Sequence, residues 1–299
     1  MKETIIADKN SNILDVLSEK YPKRIIKRLK TGNYILLNGE VVNIYHNVEA
    51  NDKIEIIIEE DESNLEKVNI PLSIVYKDEN YLVIDKQYGL KVMANHYETN
   101  TLVNGLAYYL DKEGIKTKVH MINRLDKETT GLMLIGLNRL AKHYLSQKIK
   151  EKIERKYYAL VYGKLDKEGL IDKPIIRSDD SIKRIVRSDG RSAITRYKVI
   201  KEYDNISLIE LILETGRTHQ IRVHMSSIGH PLLGDPLYGI DDNFELMLHS
   251  YYLSYYDEFK KQNQTFETNL PNRFIEAIKT LENKKWLEYN FRHKVDEKE

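Results

Sequence analysis

The sequence predicts an α+β protein, in which a small segment of two helices and a hairpin precedes a large strand-rich domain. From about residue 72 onward, strand and helix patterns alternate without the regular βαβαβ rhythm of a doubly wound sheet. The first 59 residues have the order helix, helix, hairpin, and residues 60–71 form an acidic run poor in core-forming side chains. We therefore expect domains at 1–59 and 72–299, joined by a linker at 60–71.

The composition limits the classes of function. Charged residues make up 31% of the chain, yet the formal net charge is only +1, so any affinity for nucleic acid must come from local patches. The absence of cysteine excludes disulfides, a cysteine nucleophile and thiolate metal sites, and it fits a reducing cytoplasm. The opening residues lack an apolar signal core, and no apolar run approaches the length of a membrane span. We expect a cytoplasmic protein without a membrane partner.

In the first domain, Ser11 is the expected N-cap of one helix, and Pro22 opens a second helix that Gly32 ends. The dipeptide Asn38-Gly39 predicts the turn of a hairpin.

The second helix carries like charges spaced by four residues, which destabilise a helix slightly. These cations are Lys23, Arg24, Lys27 and Arg28. They form either a solvated basic face or a surface that contacts the phosphates of a nucleic acid. The residues alone leave both interpretations open.

The second domain begins with two strands around a Lys-Asp-Glu-Asn turn, followed by a helix that stops at Gly114 and a buried strand, "GLMLIGL". An amphipathic helix follows, with apolar residues spaced by four: Ala141, Leu145, Ile149 and Ile153. After the strand "RKYYALVYG", two strands joined at Asp204-Asn205 lead to a helix within "RTHQIRVHMSSIG". No G-x-G-x-x-G and no Walker loop is present, so dinucleotide and nucleoside triphosphate sites are unsupported.

Three clusters could carry chemistry, and the first is "NRLDKETTG". Asp126 within it is either a structural turn residue that pairs with Arg124 or Lys127, or a reactive carboxylate.

The second cluster, "ETGRTHQIRVHMSSIGHPLLGDPLYG", is rich in histidine and arginine. His219 and His224 are five residues apart, which misses the i, i+4 spacing of paired zinc ligands on a helix, so we predict no metal site. The histidines, including His230, are expected to be hydrogen-bonding core groups. Arg217 and Arg222 instead suit an anion or a carboxylate partner.

The third cluster is "ERKYYALVYG". Tyr157 and Tyr158 are adjacent in a predicted strand and so face opposite sides of it. One of them either packs in the core or, beside a buried carboxylate, stacks on a base or moves a proton.

Together the clusters resemble the RluA/RluD-type family of RNA pseudouridine synthases. "NRLDKETTGLMLIGLN" is similar to the family signature, which is close to H-R-L-D-x-x-T-S-G-L. "KYYALVYG" and "TGRTHQIRVHMSSIGHPLLGDPLYG" resemble two further motifs, while "IVYKDENYLVIDKQYGL" and "LMLHSYYL … LPNRF" resemble the opening hairpin and the closing segment. The first domain resembles the αL RNA-binding module of a ribosomal small-subunit protein.

This resemblance implies the pseudouridine synthase fold, a mixed, mostly antiparallel sheet with flanking helices. It also implies an isomerase that converts uridine to pseudouridine in structured RNA, without a cofactor. Large-subunit ribosomal RNA is the favoured substrate, transfer RNA is the other, and a monomer is the simple expectation. An alternative is an inactive RNA-binding protein on the same fold.

The resemblance also implies roles for individual residues. Asp126 matches the essential aspartate, and Arg124 matches the arginine that enters the RNA stack when the target uridine leaves it. Tyr157 matches the tyrosine that stacks on the flipped base, Arg222 the arginine that pairs with the aspartate, and Leu253 an apolar residue of the uracil pocket.

Arg217 is also expected to bind substrate. Asn123 and Thr130 replace the family's usual His and Ser, and Gln87-Tyr88 stands where the family has proline and a variable residue.

A glycoside hydrolase is a rival interpretation of the candidate carboxylate. That reaction usually needs two carboxylates that flank the sugar. Neither Asp235 nor Glu214 has a sequence context comparable with that of Asp126.

Overall fold

The computed structural model describes residues 2–32, 34–58, 60–93, 98–146 and 153–282. Ile149 of the predicted amphipathic helix and residues 283–299 of the predicted catalytic domain lie outside this part of the chain. The elements of the first domain are β1 (Lys2–Ile6), β2 (Ser11–Asn12), α1 (Ile13–Lys20), α2 (Lys23–Leu29), β3 (Ile35–Leu37), β4 (Glu40–Val41), β5 (Asn47–Val48) and β6 (Lys53–Ile57).

The strands of the second domain are β7 (Ser73–Lys77), β8 (Tyr81–Lys86), β9 (His120–Met121), β10 (Thr130–Gly136), β11 (Ile153–Tyr162), β12 (Glu168–Asp172), β13 (Ile175–Arg177), β14 (Arg184–Val186), β15 (Ile194–Glu202), β16 (Ile206–Leu213), β17 (Leu248–Asp257) and β18 (Gln262–Glu267). Its described helices are α3 (Leu102–Lys112), α4 (Arg139–Ser146), α5 (Gln220–Ser227) and α6 (Asn272–Glu282). None of the described helices is long and apolar enough to cross a membrane.

The first domain packs α1 and α2 against a four-stranded sheet with the order β1-β6-β3-β4. The hairpin turn is where the sequence predicts it, because Asn38 and Gly39 both have positive φ (50° and 95°), as a tight hairpin turn requires. The predicted N-cap is wrong by one residue: the Asn12 side chain, not that of Ser11, accepts the hydrogen bond from the Asp15 amide at 2.9 Å.

The second domain is built on one mixed sheet with the order β12-β15-β16-β11-β17-β10-β8-β7, in which β18 also pairs with β17 and β9 with β10. Every described pair in this sheet is antiparallel except β10 with β17. This confirms the predicted mixed, mostly antiparallel sheet. The helix α3 packs on one face, and α4 packs on the opposite face near β8 and β10.

The parallel pair β10–β17 forms directly after the predicted active-site loop. Gly131 has φ +113°, and a Cβ atom there would lie 2.3 Å from the Ser250 carbonyl oxygen. The backbones therefore approach each other more closely than any side chain allows, which explains the glycine of "TTG" by packing.

The predicted linker has no helix or strand, yet it is bonded to the first domain through Asp61 and Arg28 and to the second domain through α3 and α4. The Glu60 carboxylate accepts a hydrogen bond from the Arg139 amide at the start of α4, and the Val68 amide contacts the Asn104 carbonyl oxygen on α3. Leu140 of α4 is fully buried in the core of the first domain.

One predicted element is wrong in part. Ala141 and Leu145 lie in α4 as expected, but Ile153 belongs to strand β11. Spacing by four residues is compatible with both interpretations at a short apolar segment, and pairing of β11 with β16 and β17 decides the outcome.

Candidate active site

A small cavity of about 60 Å³ brings the three sequence clusters together. It is lined by the loop between β9 and β10, by residues of β11, β16 and β17, and by the start of α5 with the turn before it. The residues concerned are Arg124, Leu125, Asp126, Thr129, Tyr157, Leu213, Arg217, His219, Gln220, Ile221, Arg222 and Leu248.

Asp126 lies at the edge of this cavity and not deep within it. Its side chain is 26% exposed, and Oδ2 is 3.6 Å from Nη1 of Arg222 and 3.8 Å from Nε2 of His219. Both distances exceed that of a normal hydrogen bond. The carboxylate therefore faces the guanidinium of Arg222 and the ring of His219, while it remains accessible to a substrate.

Arg222 has a different principal partner from the one expected. Its Nε donates to Oδ2 of Asp235 at 2.8 Å and its Nη2 donates to Oδ1 at 2.6 Å, while Nη1 faces Asp126. Both members of this bidentate pair are almost completely buried. Burial alone would raise the pKa of Asp235, but the hydrogen bonds and charge of Arg222 outweigh burial and lower the pKa. Asp235 therefore fixes the guanidinium, which in turn presents one edge to Asp126.

His219 is a site residue that the sequence analysis placed in the core instead. It adopts a left-handed conformation (φ 57°, ψ 19°) just before α5, which turns its ring towards Asp126. Its Nδ1 is 2.9 Å from the Tyr238 hydroxyl, which accepts a hydrogen bond from the Arg184 amide. Burial lowers the pKa of His219, so the ring is neutral near pH 7. The signal that could have found it is its position in the third motif, two residues after Arg217.

His224 is a hydrogen-bonding core histidine, as expected, whereas His230 forms a hydrogen bond but is only half-buried. The ring nitrogens of His224 contact the Thr195 hydroxyl and the Lys173 carbonyl oxygen. Nδ1 of His230 contacts the Tyr162 carbonyl oxygen.

Tyr157 and Tyr158 point to opposite faces of β11, as predicted. Tyr157 is buried and lines the cavity, whereas Tyr158 stacks on Tyr251 with ring centroids 3.8 Å apart. Burial raises the pKa of Tyr157, so its phenol stays protonated near neutral pH and acts as a hydrogen-bond donor.

Arg124 and Arg217 both reach the cavity, but Leu253 does not. Arg124 is exposed at the rim, and Nε of Arg217 donates to the Ser192 carbonyl oxygen at 3.1 Å. Leu253 is fully buried in a cluster on the other face of the sheet. The register of β11 and β17 shifts beside Tyr157, and Leu248 is the β17 residue that lines the cavity.

The positions that depart from the family pattern have structural partners. Oδ1 of Asn123 accepts a hydrogen bond from the Leu134 amide at 2.7 Å and so braces β10 from behind the loop. The Gln87 side chain donates to the Pro71 carbonyl oxygen, and the Arg273 guanidinium lies over the Tyr88 ring at 5.2 Å. These side chains support the loop and the linker end.

Lys86 is a fully buried cation beneath the same loop. Its ammonium donates to three carbonyl oxygens, those of Gln87, Leu90 and Lys127. Burial lowers the pKa of Lys86 to about 8. The contact with Lys127 fixes the backbone immediately after Asp126.

The burial of His249 is expected to reduce the stability of the folded protein in acid. Its ring is buried between the hydroxyls of Thr130 and Thr268, and burial lowers its pKa from 6.5 to about 4. In the unfolded chain His249 binds a proton below pH 6.5, but in the folded chain it binds one only below about pH 4. The free energy of unfolding therefore decreases as pH falls from 6.5 to 4. We expect His249 to account for about 3 kcal/mol of this decrease.

Urea unfolding of the wild type and of His249→Gln at pH 7 and pH 4.5 measures this effect. Gln retains hydrogen-bonding capacity towards both threonines but does not titrate, so the stability of the variant should depend less on pH. Parallel pH profiles for the two proteins would contradict the assignment.

Comparisons with known proteins agree with this geometry. Residues 80–227 match the RNA pseudouridylate synthase family. The chain is 37% identical to an uncharacterized RNA pseudouridine synthase, YjbO, of Bacillus subtilis, over 86% of this chain and 94% of the relative. It is 36% identical to the ribosomal large subunit pseudouridine synthase D of Haemophilus influenzae, over 89% of each chain.

The fold has solved counterparts as well. Human RNA pseudouridylate synthase domain containing 1 superimposes with a TM-score of 0.56 at 25% identity, and the match covers 70% of this chain and 95% of the human one. Fold and comparisons together define an enzyme of RNA modification, and its candidate site holds the accessible carboxylate of Asp126 beside the buried Arg222. The chain belongs to the RluA/RluD-type RNA pseudouridine synthases, isomerases that convert uridine to pseudouridine in RNA.

Proposed function

We propose that this enzyme isomerises uridine in structured large-subunit ribosomal RNA, with Asp126 as the catalytic carboxylate. One observation carries the assignment: Asp126 is the only carboxylate among the described residues that line the cavity, and its Oδ2 lies 3.6 Å from the buried Arg222. The two rival carboxylates are engaged elsewhere. Asp235 is bonded to Arg222, and Glu214 is bonded to Arg196 at the surface.

The reaction breaks the bond between C1′ of the ribose and N1 of uracil and forms a bond between C1′ and C5. C5 loses its hydrogen and N1 gains one, so the reaction needs no cofactor, oxidant or reductant. Asp126 either attacks C1′ or removes a ribose proton, and both routes need the ionised carboxylate. Nη1 of Arg222, 3.6 Å from Oδ2, can orient this carboxylate by Coulomb attraction.

Substrate access requires that the uridine leave the RNA stack. Enzymes that act on a base flip it out, at a cost of roughly a few kcal/mol. Arg124 is exposed at the cavity rim and can occupy the gap left in the RNA. Tyr157 can stack on the flipped base, worth about 1–3 kcal/mol, and its protonated hydroxyl can donate to the base. Leu248 takes the apolar role expected of Leu253.

We further propose that the first domain helps to hold the RNA. Lys23, Arg24 and Lys27 are exposed on α2 and can contact phosphates. Arg28, expected among them, is bonded to Asp61 at 2.7 Å and contributes less. We propose that the enzyme acts as a monomer in the cytoplasm.

The experiment that tests this function is a map of pseudouridines in cellular RNA with and without the gene. We expect at least one site in large-subunit ribosomal RNA to disappear and to return when the wild-type gene is restored. If the lost site lies in transfer RNA, the substrate is wrong and the enzyme class stands. An unchanged map, together with no activity of the purified protein on ribosomal or transfer RNA, would contradict the proposal.

A further inference from the structure

A second and larger cavity, of about 560 Å³, lies between the first domain and the catalytic domain. We call it the interdomain groove and define it by cations from both sides. These are Arg24, Lys27 and Arg28 on α2 and Arg139 and Lys142 on α4. Its floor is apolar, and no carboxylate occurs among the described residues that line it.

The relative position of the two walls is fixed by the linker. Asp61 bonds to Arg28 of α2 at 2.7 Å, to Lys118 at 3.2 Å and to Arg139 of α4. Hydrogen bonds from Arg28, Lys118 and Arg139 lower the pKa of Asp61, so this carboxylate stays charged at neutral pH. Leu140, buried in the core of the first domain, adds an apolar contact between the same elements. The groove is therefore a fixed feature of the fold.

The cations of the groove fall into two groups. Arg28 and Arg139 form ion pairs with linker carboxylates, and these pairs connect α2 of the first domain to α4 of the second. Arg24, Lys27 and Lys142 form no ion pair with any residue in the described part of the chain. Three cations without an ion-pair partner, above a groove with no carboxylate among its described lining residues, attract a polyanion rather than an isolated anion, because their charges are spread over two domains.

The groove is also close to the active site along the chain. His120 lines the groove and Arg124 lines the catalytic cavity, so the four residue steps between them span at most about 14 Å. The cavity and the groove are therefore close enough for one RNA molecule to contact both. This proximity favours RNA over an acidic protein as the occupant.

We infer that the interdomain groove binds backbone phosphates of the substrate RNA, with Lys27 and Arg24 from one domain and Lys142 from the other on the same segment. The inference rests on the proposed function in that the ligand is the RNA to be modified. The inferred surface includes α4 of the catalytic domain, so that both domains bind the same RNA segment.

The test uses full-length protein and an in vitro transcript of large-subunit ribosomal RNA. Lys27→Glu, Lys142→Glu and the double variant are compared with Lys112→Glu, which makes the same charge change at an exposed position of α3 outside the groove. We expect each groove variant to raise Kd by about three- to tenfold and to reduce the slope of log K against log salt by about 0.7–0.9 per lost phosphate contact. Lys112→Glu should change neither quantity.

The outcomes separate this inference from the proposed function. If Lys142→Glu binds RNA as tightly as Lys112→Glu does, the inference is wrong, even if Lys27→Glu binds RNA weakly. The inference requires that both walls of the groove contact the RNA. If the variants bind weakly and Lys142→Gln has an intermediate effect with an unchanged unfolding temperature, the inference is supported. If the groove variants bind RNA normally while the wild type forms pseudouridine, the inference about the groove is wrong and the proposed function is unaffected.

Discussion

Replacement of Asp126 by Asn is expected to abolish pseudouridine formation while RNA binding is retained. An amide is isosteric with the carboxylate but can neither attack C1′ nor remove a ribose proton, so kcat should fall by at least about 10⁴-fold. The fold should be unaffected, because the Asp126 carboxylate is partly exposed and lies beyond normal hydrogen-bonding distance of Arg222 and His219. Release of tritium from RNA labelled at C5 of uridine measures the reaction directly, since C5 loses its hydrogen.

A matched control is available two residues along the loop. Glu128→Gln makes the same charge change, and the Glu128 carboxylate lies 3.9 Å from the same Nη1 atom of Arg222. It does not line the cavity, so this variant should keep most of its activity. Substantial activity in Asp126→Asn would show that another group performs the chemistry. Equal losses in both variants would indicate that the overall charge near Arg222 matters, and not the carboxylate of Asp126.

The separate parts of the catalytic site could be predicted from the sequence because each part depends on local patterns. Because side chains alternate along β11, Tyr157 and Tyr158 lie on opposite faces of the sheet. A loop followed by a buried strand places Asp126 just before the first residue of β10. The partner of Arg222 could not be predicted in this way. Asp235 reaches it only because the irregular loop after α5 folds back over the helix, and no periodic signal encodes that path.

Leu253 illustrates a different limit. Leu248 and Leu253 are five positions apart in β17, an odd spacing that places their side chains on opposite faces of the sheet. The motif therefore identifies the correct strand but not the residue that faces the cavity. Which face of β17 lines the cavity depends on pairing between strands far apart in sequence, so Leu248 could be identified only from the structure.

The fold shows the same division between local and distant information. The turn at Asn38-Gly39 is encoded by two residues that tolerate positive φ, and it was predicted correctly. The acidic residues after β6 predicted a linker, but not that Asp61 would join Arg28 to Arg139. Those two arginines are distant in the sequence, and only the docking of the domains brings them to one carboxylate.

The second large effect is expected at the buried pair of Arg222 and Asp235. Arg222→Met leaves the Asp235 carboxylate buried without its partner. Asp235→Asn leaves the buried guanidinium without its hydrogen-bonded carboxylate, with only the more distant charges of Asp126 and Glu128 nearby. Breaking one side of a buried ion pair typically costs about 3–5 kcal/mol. We expect each single variant to lose stability by this amount in urea unfolding, and to lose pseudouridine formation as well.

The double variant separates the structural role of Arg222 from its role at Asp126. With Arg222→Met and Asp235→Asn together, no unpaired charge is buried, and the Asn oxygen can still accept the hydrogen bonds that Asp235 receives from the Leu237 and Tyr238 amides. Because replacing both members of a buried pair costs much less than removing one, most of the lost stability should return. Activity should not return, since nothing then presents a positive edge to Asp126. A stable double variant with near wild-type activity would show that Arg222 serves the fold alone, and a stable but inactive one would place it in the chemistry.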